Sequence, residues 1–345
     1  ILGGADSDTL LIGGALQGGA SVFGGSADLT ATDDANRISV VGGISKGAVY
    51  GGGDVDTILV AAEIISASIH GADGNDTLSI GGSASAAVVI GGSGADTIRI
   101  NGALVGGSSV WGGASVPDSL DLADYISIGG AITSSSIHGA AGNDSVDVGG
   151  AVVSGLIDTG EDDDTVSVAG GYTSSYFSGG IGNDTLVVGG DAVKSTILGG
   201  SATDTRDDGA DLIRIVGSVS ASSIAGYEGN DSMSIGGVVL ASSIGGGVGN
   251  DSIWIGGTVD SLSSIVGGSG NDFVSIGDRV IGSSSVLGND GEDTILVRSD
   301  VGVLATENNA TGSRAFVDGG IGNDLISIDG QLAGSSSLLG GTGND

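Results

Sequence analysis

Aspartate is the one side chain in this sequence that recurs at a spacing fit for chemistry. It closes a glycine-rich phrase, Gly71-Ala72-Asp73-Gly74-Asn75-Asp76, and an apolar alternation follows it, Thr77-Leu78-Ser79-Ile80. The phrase returns over Gly91 to Ile100, Gly139 to Val148, Gly179 to Val188, Gly226 to Ile235, Gly267 to Ile276 and Gly319 to Ile328. Taking the last turn residue as a marker gives Asp8, Asn36, Asp56, Asp76, Asp96, Asp124, Asp144, Asp164, Asp184, Asp211, Asp231, Asp251, Asp272, Asp293, Asp324 and Asp345, most of them 20 residues apart. One carboxylate per repeat cannot encage a cation alone. Two stacked turns can, because glycine exposes carbonyls that a Cβ would shield and a hard cation takes roughly six to eight oxygens.

Electrostatics argues for such cations. Stacked repeats place like charges ~5 Å apart, which is ~1 kcal/mol of repulsion per neighbour in water and ~3–4 at an effective dielectric of about 20. Summed along a column, that rivals the ~5–15 kcal/mol stability of a typical domain. The formal net charge is −33, from 42 acids against 9 bases. Self-repulsion on this scale opposes compaction and makes nucleic acid a poor partner.

Other chemistry is thinly supplied. The chain has no cysteine, hence no disulfide and no thiolate site. His70 and His138 are the only histidines; at three repeats they stand ~14 Å apart, and each is expected as a surface residue at a strand end. No spacing sets a base beside a nucleophile, so the chain is not expected to be an enzyme. Asn309-Ala310-Thr311 is a formal glycosylation acceptor. No apolar run approaches the ~20 residues that span a bilayer.

The elements that position the aspartates follow from the apolar pattern. The second and fourth residues after a marker are apolar, as in Ile58/Val60, Val146/Val148 and Ile253/Ile255. Period two over four residues is a strand with one buried face. Another apolar residue falls seven before the marker (Ile69, Ile137, Phe177, Ile224, Val286), with small residues such as Ser134-Ser135-Ser136 ahead of it. Gly-Gly pairs such as Gly81-Gly82 and Gly149-Gly150 turn the chain between these two strands. Each coil is therefore expected to be strand, plain turn, strand, acidic turn. Stacked in parallel, about sixteen such coils of ~20 residues make an all-β, right-handed parallel β-roll or β-helix solenoid, two sheets across a thin aliphatic layer and about 75 Å long. The 72 glycines and 3% aromatics suit so thin a core, and 39% hydrophobic residues is too many for disorder.

The repeated phrase matches the G-G-x-G-x-D-x-U-x form of calcium-binding parallel β-helices. On it, the chain resembles the RTX (haemolysin-type calcium-binding repeat) family over nearly all its length. The resemblance implies Ca2+, as multiple ions between successive coils, at every marker aspartate named above. The usual RTX coil is shorter and acidic on both sides, whereas this one is acidic on one side only. Calcium is thus expected along one edge. Asn36 lacks the charge, and Thr159-Gly160-Glu161-Asp162-Asp163-Asp164 is poor in glycine.

Residues 1–345 are expected to form a single continuous roll, a section of a longer chain, since the sequence opens in mid-turn and stops in mid-repeat. Acid-rich insertions occupy the acidic turn at 24–36, 112–124 and 199–211; a fourth, at 298–313, lies on the plain side. Markers 36, 124 and 211 are 88 and 87 residues apart, four coils each. Duplication of a four-coil block explains that series, and so does a ruler of lateral contacts. Leu59, Val187, Trp254 and Leu296 are apolar at outward strand positions, and Trp254 is expected to touch a neighbouring molecule.

The RTX resemblance, with uninterrupted repeats and no catalytic cluster, points to an extracellular structural protein. It would sit at the cell surface of a Gram-negative-type bacterium, self-assembling into an S-layer lattice or a surface fibril. An attachment to polysaccharide or the outer membrane would lie outside this chain. The alternative is the calcium-triggered folding and secretion segment of a type I-secreted toxin, hydrolase or adhesin. An ice-binding adhesin is disfavoured, because the third turn position varies: Asp73, Ser93, Ala141, Ile181, Glu228, Val248.

Overall fold

Leu78 and Ile80 are fully buried while Thr77 and Ser79 face outward, so the period-two pattern is realised as a strand with one wet face. The computed structural model describes residues 1–25, 34–113, 121–201, 208–303 and 314–345. One coil runs through three strands: Thr77–Ile80, Ala84–Ser85 and Val88–Ser93. Each pairs in parallel with its equivalent in the next coil, Thr77 with Thr97, Ala84 with Leu104 and Val88 with Ser109. The result is an all-β parallel solenoid of right-handed type. The chain divides into two compact units, Ile1–Gly170 and Gly171–Asp345.

Within each unit the strands form three sheets. The first holds the strand after the acidic turn, the second a two-residue strand, and the third the strand leading into the next acidic turn. Among the described residues the first sheet has eight strands in the first unit (Thr9–Ile12 to Thr165–Val168) and seven in the second (Thr185–Val188 to Leu325–Ile328). That is one strand fewer than the sixteen markers, because the last marker, Asp345, is the final residue.

The second sheet corrects the two-strand coil read from the sequence. The Gly81-Gly82 pair does turn the chain, but Ala84 then points inward and is buried, as do Ile64, Leu104 and Ile132 at the same position. A strand of two residues is too short for alternation to be visible. The corner after it was hidden for another reason. It is made by non-glycine residues in the left-handed region, among them Ser134 (φ 49°), Ser154 (φ 50°) and Ser174 (φ 51°), a conformation uncommon outside glycine.

The serine that follows the corner turns inward, so the serine runs are not the flat outer face their composition suggests. Ser195, Ser222, Ser242 and Ser263 are buried. The Ser195 N–H donates to Ser222 Oγ at 3.0 Å, and the Ser222 N–H to Ser242 Oγ at 3.1 Å. Ser222 Oγ in turn donates to the Ser220 carbonyl at 2.9 Å. A small hydroxyl thus satisfies a buried amide where a larger side chain would not fit. The core itself is three apolar columns, one per sheet, each Val, Leu or Ile contributing roughly 1.5–3 kcal/mol by burial.

Candidate metal centre

The acidic turn is shaped by backbone that bends the unusual way at alternate residues. Numbering its six positions from Gly71 to Asp76, positions 2 and 4 have positive φ: Ala72 (94°) and Gly74 (121°), and in the second unit Gly247 (130°) and Gly249 (139°). Position 4 favours glycine on two counts, although Asp54 (φ 69°) and Asp162 (φ 75°) also take it. A side chain on Gly249 would also overlap the carbonyl oxygen of Gly229, and one on Gly270 that of Gly249. The carbonyls at this position are therefore aimed from each coil at the next.

Position 6 carries the marker aspartate, and its side chain folds inward beneath the turn. Asp76, Asp231 and Asp251 are each 1% exposed. Oδ1 accepts the N–H of the marker one coil earlier: Asp56 to Asp76 at 2.7 Å, Asp76 to Asp96 at 2.6 Å and Asp124 to Asp144 at 2.8 Å. In the second unit the same bond runs from Asp211 to Asp231, Asp231 to Asp251 and Asp251 to Asp272, all at 2.8 Å. Oδ2 lies against the glycine at position 1. A side-chain carbon on Gly71 would overlap Asp76 Oδ2 and sit 2.5 Å from the Gly91 carbonyl oxygen. A carboxylate oxygen thus fills the space beside Gly71, although Thr159 holds the equivalent position before Asp164.

That second oxygen has no donor. Oδ2 is buried and without a hydrogen-bond partner in Asp76, Asp96, Asp124, Asp144, Asp211, Asp231, Asp251, Asp272, Asp293 and Asp324. Such an atom costs roughly 1–3 kcal/mol, more when charged. Burial, the main cause, pushes the carboxyls of Asp76 and Asp144 up to about 8, of Asp124 and Asp211 to about 9, and of Asp96, Asp231 and Asp272 to about 7. The amide bond to Oδ1 opposes the shift. Neighbouring carboxylates add to it, as Asp96 and Asp56 do at Asp76. The repulsion expected from stacked turns is therefore felt inside the protein rather than in water.

The donor set fits a hard cation. A buried, acceptor-only oxygen with no hydrogen-bond donor beside it is satisfied by a proton or by a metal ion. No three His, Cys, Asp or Glu side chains converge to hold an ion among the described residues, so backbone carbonyls would have to complete any shell. The remaining markers conform with local differences. Asp56, Asp164 and Asp184 are buried in line with the rest, and Asp164 accepts the Asp144 N–H at 2.7 Å despite its glycine-poor turn. Asp8 is half-buried and Asp345 exposed. Asn36 is buried and accepts the Asp8 N–H at 2.9 Å, filling the place without the charge.

A second ladder was not read from the sequence, although the recurrent Asn-Asp pair is its signal. The exposed asparagine at position 5 accepts from the following coil. Asn230 Oδ1 takes the Asn250 N–H at 2.6 Å, and Asn250 Oδ1 the Asn271 N–H at 2.7 Å. The inner aspartates and outer asparagines thus tie adjacent coils in opposite directions.

The histidines are not free surface residues. His70 stacks on Tyr50 (ring centroids 4.9 Å apart), which stacks on Phe23 (4.8 Å), and His138 stacks on Trp111 (3.9 Å). Both are half-buried on the outer face of the third sheet, and burial lowers both pKa values. Trp254 is 47% exposed on the first sheet. Residues 26–33, 114–120, 202–207 and 304–313 lie outside the described residues, and with them Asp28, Asp33, Asp118, Asp204, Asp207 and Asn309.

No family model and no curated protein matches the chain. Among solved structures it is similar to a hyperactive, Ca2+-dependent, β-helical antifreeze protein from an Antarctic bacterium. The identity is 24% and the TM-score 0.55, over 88% of this chain and 86% of that one. At that identity the likeness is one of fold.

Proposed function

We propose that the protein is a calcium-stabilised extracellular repeat protein. The observation that carries this reading is the column of buried marker aspartates whose Oδ2 atoms lack donors. Calcium suits it better than magnesium. Calcium accepts irregular shells of carboxylate and carbonyl oxygens, whereas magnesium demands a near-octahedral shell and keeps its waters. The Ca2+ dependence of the similar β-helical protein supports the choice. When bound, the ion supplies positive charge to oxygens that otherwise repel. The chain's own residues do the rest. Marker carboxylates bring one charge per coil, position-1 glycines admit them beneath the turn, and serine and asparagine ladders hold the coils in register.

Within that reading, a structural role at the cell surface is favoured, as a unit of an S-layer or fibril of the RTX type. Uninterrupted repeats, and a sequence whose spacing sets no base beside a nucleophile, support it. In calcium-poor cytosol the column would repel and keep the chain unfolded. Outside, sites of ~0.1–1 mM affinity would fill, and coils would stack as a one-dimensional array. Attachment to polysaccharide or an outer membrane would fall to segments beyond these residues. The alternative, a folding and secretion segment of an exported toxin, hydrolase or adhesin, shares this mechanism. Antifreeze activity is not carried over, because the outward third turn position holds no regular residue type.

Thermal melts followed by circular dichroism, with and without excess EGTA, test the calcium reading; a midpoint at neutral pH that the chelator leaves unchanged would refute it. Electron microscopy of the calcium-loaded protein tests the structural role. Lattices or fibres are expected, and dispersed monomers at high concentration would favour the secretion-segment reading.

A further inference from the structure

Two of the insertions bring a second aspartate back to the column. Asp121 stands three residues before Asp124, and Asp208 three before Asp211, one in each compact unit. Their surroundings match. Oδ2 of Asp121 accepts the Ala141 N–H at 3.2 Å, and Oδ2 of Asp208 accepts the Glu228 N–H at 3.2 Å. Ala141 and Glu228 hold the same third position in the following turn. A side-chain carbon on Gly113 would overlap Asp121 Oδ2, and one on Gly200 would overlap Asp208 Oδ2. At the glycine just before, Gly112 or Gly199, it would overlap Oδ2 of Asp124 or Asp211. Inserted acid and marker acid therefore lie under adjacent turn residues.

Regular coils also carry acids three residues before a marker, but Asp73, Glu161 and Asp290 are exposed there and Glu228 half-buried, whereas Asp121 is 8% exposed and Asp208 half-buried with its Oδ2 under a turn glycine. The carboxylates beside the two inserted ones are themselves almost wholly buried, and Oδ2 has no donor in Asp124, Asp144, Asp211 and Asp231. Oδ1 of Asp208 is likewise buried without a partner. A charge on Asp121 works against charges on Asp96, Asp124 and Asp144, and one on Asp208 against Asp211 and Asp231.

We propose that Asp121 and Asp208 are additional carboxylate ligands that make these two coils the tightest calcium sites in the chain, each the point from which cation-driven stacking spreads through its unit. The inference rests on the calcium reading above. Affinity of oxygen sites rises with the number of charged ligands and with their rigidity. Each inserted carboxylate adds a charge already ordered by a backbone amide. In a linear array of coils, order spreads from the most stable repeat to its neighbours.

The test counts calcium retained by the loaded full-length chain under competition with EGTA, for the parent, Asp121→Asn, Asp208→Asn and the double variant. Asparagine keeps an oxygen for the Ala141 or Glu228 amide and removes only the charge. The parent is expected to show a small class of ions held about tenfold more tightly than the rest. Each single variant should halve that class and the double variant abolish it, with the weaker class unchanged. A tight class that survives in the double variant, or is missing from the parent, overturns the proposal. Failure of the calcium reading looks different, since no ion would be retained before chelator is added. Melting in EGTA is the second measurement. Removing the charges should raise the midpoint of the metal-free double variant, whereas a merely structural role for these side chains predicts a fall.

Discussion

The backbone N–H of Asp76 donates to Oδ1 of Asp96 at 2.6 Å, while Oδ2 of Asp96 is buried with no donor at all. One carboxylate thus does two separable things. Half of it closes the hydrogen-bond ladder between coils, and half waits for a proton or a cation.

Asp231→Asn separates the halves, with buried Asn36 as a precedent inside the chain. The amide oxygen can still accept the Asp211 N–H, and the charge is gone. In EGTA the variant should be more stable than the parent, by about 1–2 kcal/mol if the relief matches that of one unsatisfied buried group. In saturating calcium it should be less stable and bind fewer ions. Thermal melts under both conditions, with a calcium count, check the crossing.

The raised carboxyl pKa values set a pH dependence for the metal-free chain. The folded carboxyls protonate near 7–9, the unfolded ones near their ordinary value of about 4. The folded state binds more protons between these limits, so stability falls as pH rises. The contribution is complete below about pH 4 and lost as pH climbs through 7 to 9. Circular dichroism in EGTA across that range should show loss of structure toward alkaline pH. With calcium the order reverses, because acid displaces the ion.

Gly249→Ala should be strongly destabilising, since φ is 139° and the new carbon would overlap the Gly229 carbonyl. A loss of about 1–3 kcal/mol or more is expected. Gly245→Ala is the control. Its φ is ordinary and nothing lies within 4 Å of the added carbon, so its melting point in calcium should match the parent's or exceed it.

Ser222→Ala removes the acceptor of the Ser195 N–H and leaves a buried amide unpaired. A loss of about 1–3 kcal/mol in calcium-saturated melts is expected, with the number of bound ions unchanged. An altered ion count would show that the serine ladder and the acidic turns are not independent.

The first and third strands were legible because Leu78 and Ile80, or Ile69 seven residues before its marker, obey a period that burial on one face imposes. The second strand was not. Ala84 is alone in pointing inward from it, and one residue has no period. The corner was hidden because Ser134 and Ser154 adopt a conformation that composition assigns to glycine. At the turns, the positions of the aspartates were readable from spacing, but their inward direction was not. It depends on the missing side chain at Gly71, a property of the neighbour rather than of Asp76. Likewise His138 read as a surface residue because its partner, Trp111, lies 27 positions away across an insertion.

The inner ladder has a direction: each marker amide faces the higher-numbered coil and each marker carboxylate the lower. Any cut between coils therefore leaves two unlike edges, and every such edge matches its opposite number elsewhere in the same unit. Excision of residues 77–96 joins Asp76 to Thr97 and meets the same edges it removed, so the shortened protein should fold. Loss of ten residues instead would set a third-sheet strand where a first-sheet strand belongs. Length in such a chain is free to vary in whole coils, as links are added to or taken from a chain.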